Sequence, residues 1–513
     1  MQKLPIGIQD FREVRTKDFL YVDKTPLVYQ LVNYAKYFFL SRPRRFGKSM
    51  LVSTIAELFQ GSQDLFKGLW IEDQWDWSKT NPVIEFKFNS AAYQDIGLDA
   101  YLFQRLGEQA ARYGISLHKT TPVGQLEELI LALSQKLGQV VMLVDEYDKP
   151  IIDYLDDIPQ AEANRNTLKK FYSALKPLDL HIRMVFLTGV SKFSRTSIFS
   201  DLNNLKDLTT SRQFNALCGI TQEELDTYFV EENKALAVAY GEAEDWAKMR
   251  IKKWYNGYAW GNLNQRLYNP FSILQVYSDL KFDNYWFASG TPTFLIKLLK
   301  NEQLYDLEER IVPENLLGSY ELAHIAPDTL LFQTGYLTIK GSTRTREYIL
   351  GYPNQEVKES MLQYLLADYV KGRNLSNISP ALRMANALLD HELDQLPTYI
   401  NALIGSIPYE LHQNNEAYYH TVMHLAFSLI GVHIQSEVHV AKGRLDSIIQ
   451  ADHAVYIFEF KVNDSAENAI EQIKKQGYVQ PYLGQAKPVY AIGASFNTEL
   501  KEVDSWLVEE LKG

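Results

Sequence analysis

The apolar residues of this chain keep two periods, and their alternation lays out the expected elements. Short runs of continuous or every-other apolar residues predict strands over 34–40, 82–88, 140–144, 181–187, 432–440 and 455–461, with another opening at Glu347 and turning at Pro353-Asn354. Apolar residues at helical spacing predict helices over 50–59, 98–113, 123–137, 162–175, 358–369, 380–389, 396–404, 415–429 and 466–478. Strands alternating with helices are the order expected of α/β folds. Between them, 219–340 reads as mostly helical. It opens on a capping box, with Thr221 three residues before Glu224, and closes on a helix end and strand over 329–340. The first thirty residues mix aromatic, charged and turn residues without a period and read as a lead-in packed on something larger. The polar run 374–379 is the expected interdomain joint.

The first strand runs into Ser41-Arg42-Pro43-Arg44-Arg45-Phe46-Gly47-Lys48-Ser49 and then a helix, the order of a phosphate-binding loop. Gly47 lets the backbone approach a phosphate, and the N–H groups around it, from Arg45 and Phe46 onward, point inward at a helix N-terminus. Lys48 reaches the β- and γ-phosphates, and the Ser49 hydroxyl can ligate Mg²⁺. Arg42 stands where the usual pattern has its first glycine, so the loop alone is as compatible with a chance Gly-Lys-Ser at a helix start. The strand over 140–144 changes that balance by ending in Asp145-Glu146. There Asp145 can hold Mg²⁺ and Glu146 can polarise an attacking water, the division of labour in ATP hydrolysis. Thr188 and Ser191, after the next strand, either sense the γ-phosphate or satisfy loop backbone, and Arg195 is a candidate arginine finger. Arg44 and Arg45 add charge at the phosphates, meet a partner, or form a solvated basic turn.

A second centre is expected near the C-terminus. Alternation along 455–461 sends Glu459 and Lys461 to one face and Phe460 to the other. With Gln450-Ala451-Asp452-His453 as a hairpin turn, Asp446 on the preceding strand can reach the point that Glu459 reaches. Asp446, Glu459 and the Phe460 carbonyl then offer the hard oxygen ligands that Mg²⁺ or Mn²⁺ prefers, and Glu416 from the preceding helix can complete the set. Lys461 positions water or neutralises developing charge, and Gln472 on the following helix orients either. The plainer reading of Lys461 is an ion pair on a solvated strand edge. His420 and His424, one helical turn apart, read as packing for want of a third ligand.

The chain has 513 residues, 46% of them hydrophobic, which suits about three domains on a prior of roughly 150 residues each. Its net charge of −11 excludes coating nucleic acid by bulk charge and leaves partner choice to local sites. The lone Cys218 excludes a disulfide framework and a cysteine zinc site. With neither a signal pattern at 1–10 nor an apolar run long enough to span a bilayer, the expectation is a cytoplasmic protein without membrane contact.

The strings LPIGIQDFREVR, YVDKT, FFLSRPRRFGKSML, VMLVDEYDKPI and LTGVSKFS resemble the AAA-ATPase-like family of bacterial proteins, which typically carry a C-terminal domain of the PD-(D/E)XK nuclease superfamily. The helix-strand-strand-strand-helix order with Asp446, Glu459, Lys461 and Gln472 is similar to the core of that superfamily. The resemblance implies an α/β multidomain protein: an additional-strand P-loop ATPase over 1–215, a mostly helical lid over 216–345 with a winged helix as the variant, a linking strand and helices over 346–408, and the nuclease-like domain over 409–513. It also implies a place for GIQDF near the adenine. The expected function is ATP binding and hydrolysis controlling metal-dependent cleavage of nucleic acid, DNA ahead of RNA, with homo-oligomers as a further expectation. The alternative is a nucleotide-dependent switch whose nuclease-like domain binds nucleic acid or a protein without cutting.

Overall fold

The computed structural model describes residues 2–88, 92–192, 198–199, 202, 204–288, 293–302, 304–318, 326–371, 378–405, 416–433, 437–440, 447–475, 479–482, 487–497 and 499–511. The chain divides into two compact units, Met1–Ser289 with Leu307–Asn354, and Gly290–Asp306 with Gln355–Gly513.

In the first unit, β1 (Tyr37–Ser41), β2 (Val83–Lys87), β3 (Val140–Asp145), β4 (Ile182–Gly189) and β5 (Lys206–Asp207) form one sheet in the order β2-β3-β4-β1-β5, every neighbouring pair parallel. Every residue of β1 and β3 is buried, as continuous apolar strands must be when both faces of a parallel sheet are covered. Parallel strands carry their C-terminal ends to one edge, so the loops after Ser41, Asp145 and Gly189 emerge together. β4 lies between β1 and β3.

The first thirty residues form two helices rather than an irregular lead-in. Asp10 caps Phe11–Thr16 by accepting the Glu13 N–H, and Pro26 sits in the first turn of Thr25–Tyr34. The first start is written in its cap and the second in its proline, and six residues are too few for a period to show in Phe11–Thr16. The capping box at Thr221 is present. Its hydroxyl accepts the Glu224 N–H at 3.1 Å, and its own N–H donates to Glu224 Oε2 at 2.8 Å. Helices Gln222–Tyr228, Val230–Tyr240, Glu244–Tyr255 and Pro270–Asp279 follow, with Leu20 sharing a core with Phe229, Ile251, Tyr268 and Val276. A two-stranded ribbon pairs β6 (Asn256–Tyr258) with β7 (Leu267–Tyr268), and β8 (Arg310–Pro313), β9 (Thr338–Ser342) and β10 (Glu347–Gly351) form an antiparallel sheet in the order β8-β10-β9.

In the second unit, β11 (Glu437–Val440), β12 (Ser447–Gln450), β13 (Val455–Val462), β14 (Val489–Asn497) and β15 (Glu502–Leu511) are ordered β11-β12-β13-β14-β15. Only β13 and β14 run parallel, joined through helix Ala466–Lys475. β13 alternates as its sequence requires. Val455 and Ile457 pack with Ile470 and Ile473, whereas Phe458 and Phe460 meet Phe427 of helix Glu416–His433 at ring distances of 4.9 and 5.7 Å. The strand expected over 432–440 starts later, because the buried face at Leu425, Ala426, Leu429 and Ile430 keeps helical spacing and the helix runs to His433. Among the described residues, no helix is long and apolar enough to cross a membrane.

Candidate functional site

Gly47 has φ +92°, a left-handed conformation that a residue with a Cβ rarely adopts, and helix Lys48–Gln60 begins directly after it. This turn places Lys48 and Ser49 against the sheet edge. The Ser49 hydroxyl donates to Asp145 Oδ2 at 2.6 Å, and the Thr188 hydroxyl donates to Asp145 Oδ1 at 2.6 Å. Residues 49, 145 and 188, from the ends of three neighbouring strand-loop units, thus meet at one carboxylate. Lys48 is buried. Its Nζ donates to the carbonyls of Arg42 and Pro43, each at 2.9 Å, which leaves one of its three N–H bonds for a further acceptor. Burial lowers the Lys48 pKa, and Asp145, Glu146 and Asp148 act against that shift.

Glu146 stands next to this group with φ +56°, and its carboxyl titrates above its ordinary range because of burial and then the neighbouring Asp145. Ser191 does not join Thr188. It serves Asp148, a buried carboxylate that accepts the Ser191 N–H at 2.6 Å, the Ser191 hydroxyl at 2.7 Å and the Val190 N–H at 3.1 Å. Sequence reasoning missed Asp148. The signal available was its place three residues beyond Asp145 in VDEYD. Gly189 leaves room for it, since a Cβ there would lie 2.6 Å from Asp148 Oδ1.

Arg45 has φ +64° and stacks its guanidinium 4.0 Å over the Phe271 ring. Phe46 is fully buried against Tyr258 and Trp260, so its main chain is what it can offer a ligand. In the GIQDF segment, the Phe11 N–H donates to Ser53 Oγ at 3.0 Å, which lays the segment along the helix that follows the loop. Arg195 lies outside the described residues.

In the second unit, Glu459 is 2% exposed and Lys461 Nζ lies 3.4 Å from its Oε1. Lys461 also donates to Gln472 Oε1 on helix Ala466–Lys475. The three side chains converge because β13 puts Glu459 and Lys461 on the face this helix covers. Gly493, opposite Glu459 on β14, lets the helix close down. A Cβ there would lie 2.3 Å from the Ala466 carbonyl oxygen. The hairpin turn is Ala451–Ala454, with Ala451 N–H donating to Ala454 O at 2.9 Å, and its ladder pairs Ser447 with Phe458. Asp446 lies outside the described residues, and so does the side chain of Glu416, whose backbone begins helix Glu416–His433. His424 packs edge-on to Tyr305 at 5.3 Å. Among the described residues, no three His, Cys, Asp or Glu side chains group as a metal site.

The fold is that of a mixed α/β protein in two parts, and comparison with known families defines an ATPase-like and a nuclease-like one. Residues 5–199 match the AAA-ATPase-like family, described as a predicted AAA-ATPase, and residues 414–506 match the PD-(D/E)XK nuclease superfamily. The chain is 37% identical over 525 residues to the "Uncharacterized protein in vnfD 5'region" of Azotobacter chroococcum mcd 1, a match that covers 99% of each. The chain belongs to this AAA-ATPase-like family with a C-terminal PD-(D/E)XK nuclease superfamily domain. No solved structure matches it.

Proposed function

We propose that the chain binds and hydrolyses ATP at the loop 42–49 and that this controls cleavage of nucleic acid, DNA first, by its C-terminal domain. The observation that carries the nucleotide half is the meeting of Ser49 and Thr188 on Asp145 at 2.6 Å each, across a sheet in which β4 separates β1 from β3. That order supports the additional-strand P-loop reading, with 216–345 as the lid. The main chain of Arg45 to Ser49 receives the phosphates at a helix N-terminus, and the spare Lys48 N–H donates to them. Ser49 Oγ and Asp145 are adjacent hard oxygen donors that fit Mg²⁺. Glu146 accepts the proton of the attacking water, and Thr188 keeps Asp145 in place.

At the second centre, Asp446, Glu459 and Glu416 are the oxygen donors that would hold Mg²⁺ or Mn²⁺, and the buried Glu459 carboxylate fits such an ion. A divalent ion there supplies charge neutralisation and a more acidic water. Lys461, held by Gln472, donates to the phosphate under attack.

The test incubates purified wild type and Asp446→Ala with Mg²⁺ or Mn²⁺, with and without ATP, on single- and double-stranded DNA and RNA. Wild type cuts and Asp446→Ala does not; equal cutting by both removes the assigned site. A second expectation concerns pH. Because the Glu146 carboxyl is shifted upward, ATP hydrolysis falls on acidification with a limb above the ordinary glutamate value of 4.5. Initial rates from pH 4 to 8 locate it; a rate that does not fall on acidification over this range removes Glu146 as base.

A further inference from the structure

The loop ahead of Gly47 is held, residue by residue, by the region that begins at Gly219. Arg42 lies over Trp260, Pro43 against Gly335, the Arg44 carbonyl accepts the Trp286 indole N–H at 3.1 Å, Arg45 stacks on Phe271, and the Phe46 carbonyl accepts the Gly219 N–H at 3.1 Å. Five consecutive residues thus have five partners, spread over more than a hundred positions of sequence.

Arg42 is the most constrained. It is 0% exposed and stands 4.3 Å over the Trp260 ring. Its Nη1 donates to the Ser41 and Thr209 carbonyls at 2.9 Å each, and its Nη2 to the Asn215 carbonyl at 3.4 Å. Burial lowers its pKa to about 10, which leaves it cationic at neutral pH. Carbonyl oxygens and an aromatic face contact the charge directly, and the Asp207 carboxylate favours it through space. A glycine at this position could make none of these bonds. The Arg42 carbonyl in turn accepts from Lys48 Nζ at 2.9 Å, so a chain of contacts runs from Trp260 through Arg42 to the lysine that faces the phosphates.

We propose that Arg42 is a positioning residue that relays the arrangement of the region after 219 to Lys48 and so sets the affinity of the loop for a nucleoside triphosphate. The affinity part rests on the nucleotide-binding reading above. Linkage makes the relay reciprocal: bound nucleotide stabilises the same arrangement of Trp260 and its neighbours.

The test uses the full chain as wild type, Trp260→Leu, Trp260→Phe and Arg42→Lys, with two readouts. Hydrogen exchange of the Arg42 amide and of the amides from Arg44 to Lys48 reports the loop without nucleotide, and titration with Mg²⁺-ATP reports affinity. In Trp260→Leu, exchange over 42–48 rises and affinity falls, each by about tenfold, while β1, β3 and β4 keep their protection. Trp260→Phe, which keeps a smaller ring under the guanidinium, is intermediate. Arg42→Lys keeps charge but loses the planar fork, and resembles Trp260→Leu. Unchanged exchange over 42–48 in folded Trp260→Leu and Arg42→Lys overturns the proposal, and so does faster exchange with undiminished affinity. A wild type that binds no ATP while its variants exchange faster overturns the nucleotide reading and upholds the relay to the loop.

Discussion

Glu459→Gln abolishes nucleic-acid cleavage, lowering the rate by about 10³-fold or more, while ATP hydrolysis stays at the wild-type rate. Gln keeps the size and one carbonyl oxygen of Glu459 but removes its charge, so the change tests the carboxylate rather than the packing. Glu459 is 2% exposed and 3.4 Å from Lys461, and a carboxylate so enclosed is costly to desolvate unless cations meet it. Lys461 supplies one cation, and a divalent ion shared with Asp446 would supply the other. The measurement is single-turnover cleavage of a labelled duplex, with circular dichroism as the check on folding. Cleavage within about tenfold of wild type shows that the carboxylate is not needed and returns Lys461 and Glu459 to a structural ion pair.

Lys48→Ala weakens ATP binding by about 10- to 100-fold, the loss expected for one charge-assisted hydrogen bond to phosphate, and ATP hydrolysis falls with it. A second effect follows from the structure. The Arg42 and Pro43 carbonyls each lose their 2.9 Å donor inside the protein, so the variant also melts earlier, by about 1–3 kcal/mol of lost stability. Lys48→Met, which fills the same volume, separates packing from charge. Equilibrium titration with Mg²⁺-ATP and thermal melting measure the two effects. If Lys48→Ala cuts nucleic acid at one and the same rate with and without ATP while the wild type responds to ATP, the control runs through this loop. If neither responds, ATP does not control cleavage.

Much of each centre was legible because its instructions are local. A period of two along 455–461 is enough to put Glu459 and Lys461 side by side, and they are 3.4 Å apart. Thr221 with Glu224 three residues on is enough to write a cap. Helix Phe11–Thr16 escaped because its Asp10 cap marks it and six residues show no period, whereas Thr25–Tyr34 does bury Thr25, Val28, Leu31 and Val32 at helical spacing.

Other features could not be read along the chain. Ser191 and Thr188 are both hydroxyls near the end of β4, and only the fold assigns one to Asp148 and the other to Asp145. That division depends on β4 lying between β1 and β3, which is a matter of strand order across more than a hundred residues. Arg42 likewise reads as a defect in a glycine pattern until Trp260, Thr209 and Asn215 are brought around it.

By itself, then, the sequence determined the two strand-loop units, the faces of β13 and the residue types at both centres, since backbone periods and turn geometry act over a few residues. Only the tertiary structure decided which carboxylate each hydroxyl meets, what surrounds Arg42, and that residues 42–46 are gripped from the region that begins at Gly219. Those outcomes rest on burial and hydrogen bonding between segments far apart in sequence, and such contacts exist only once the sheet has chosen its order.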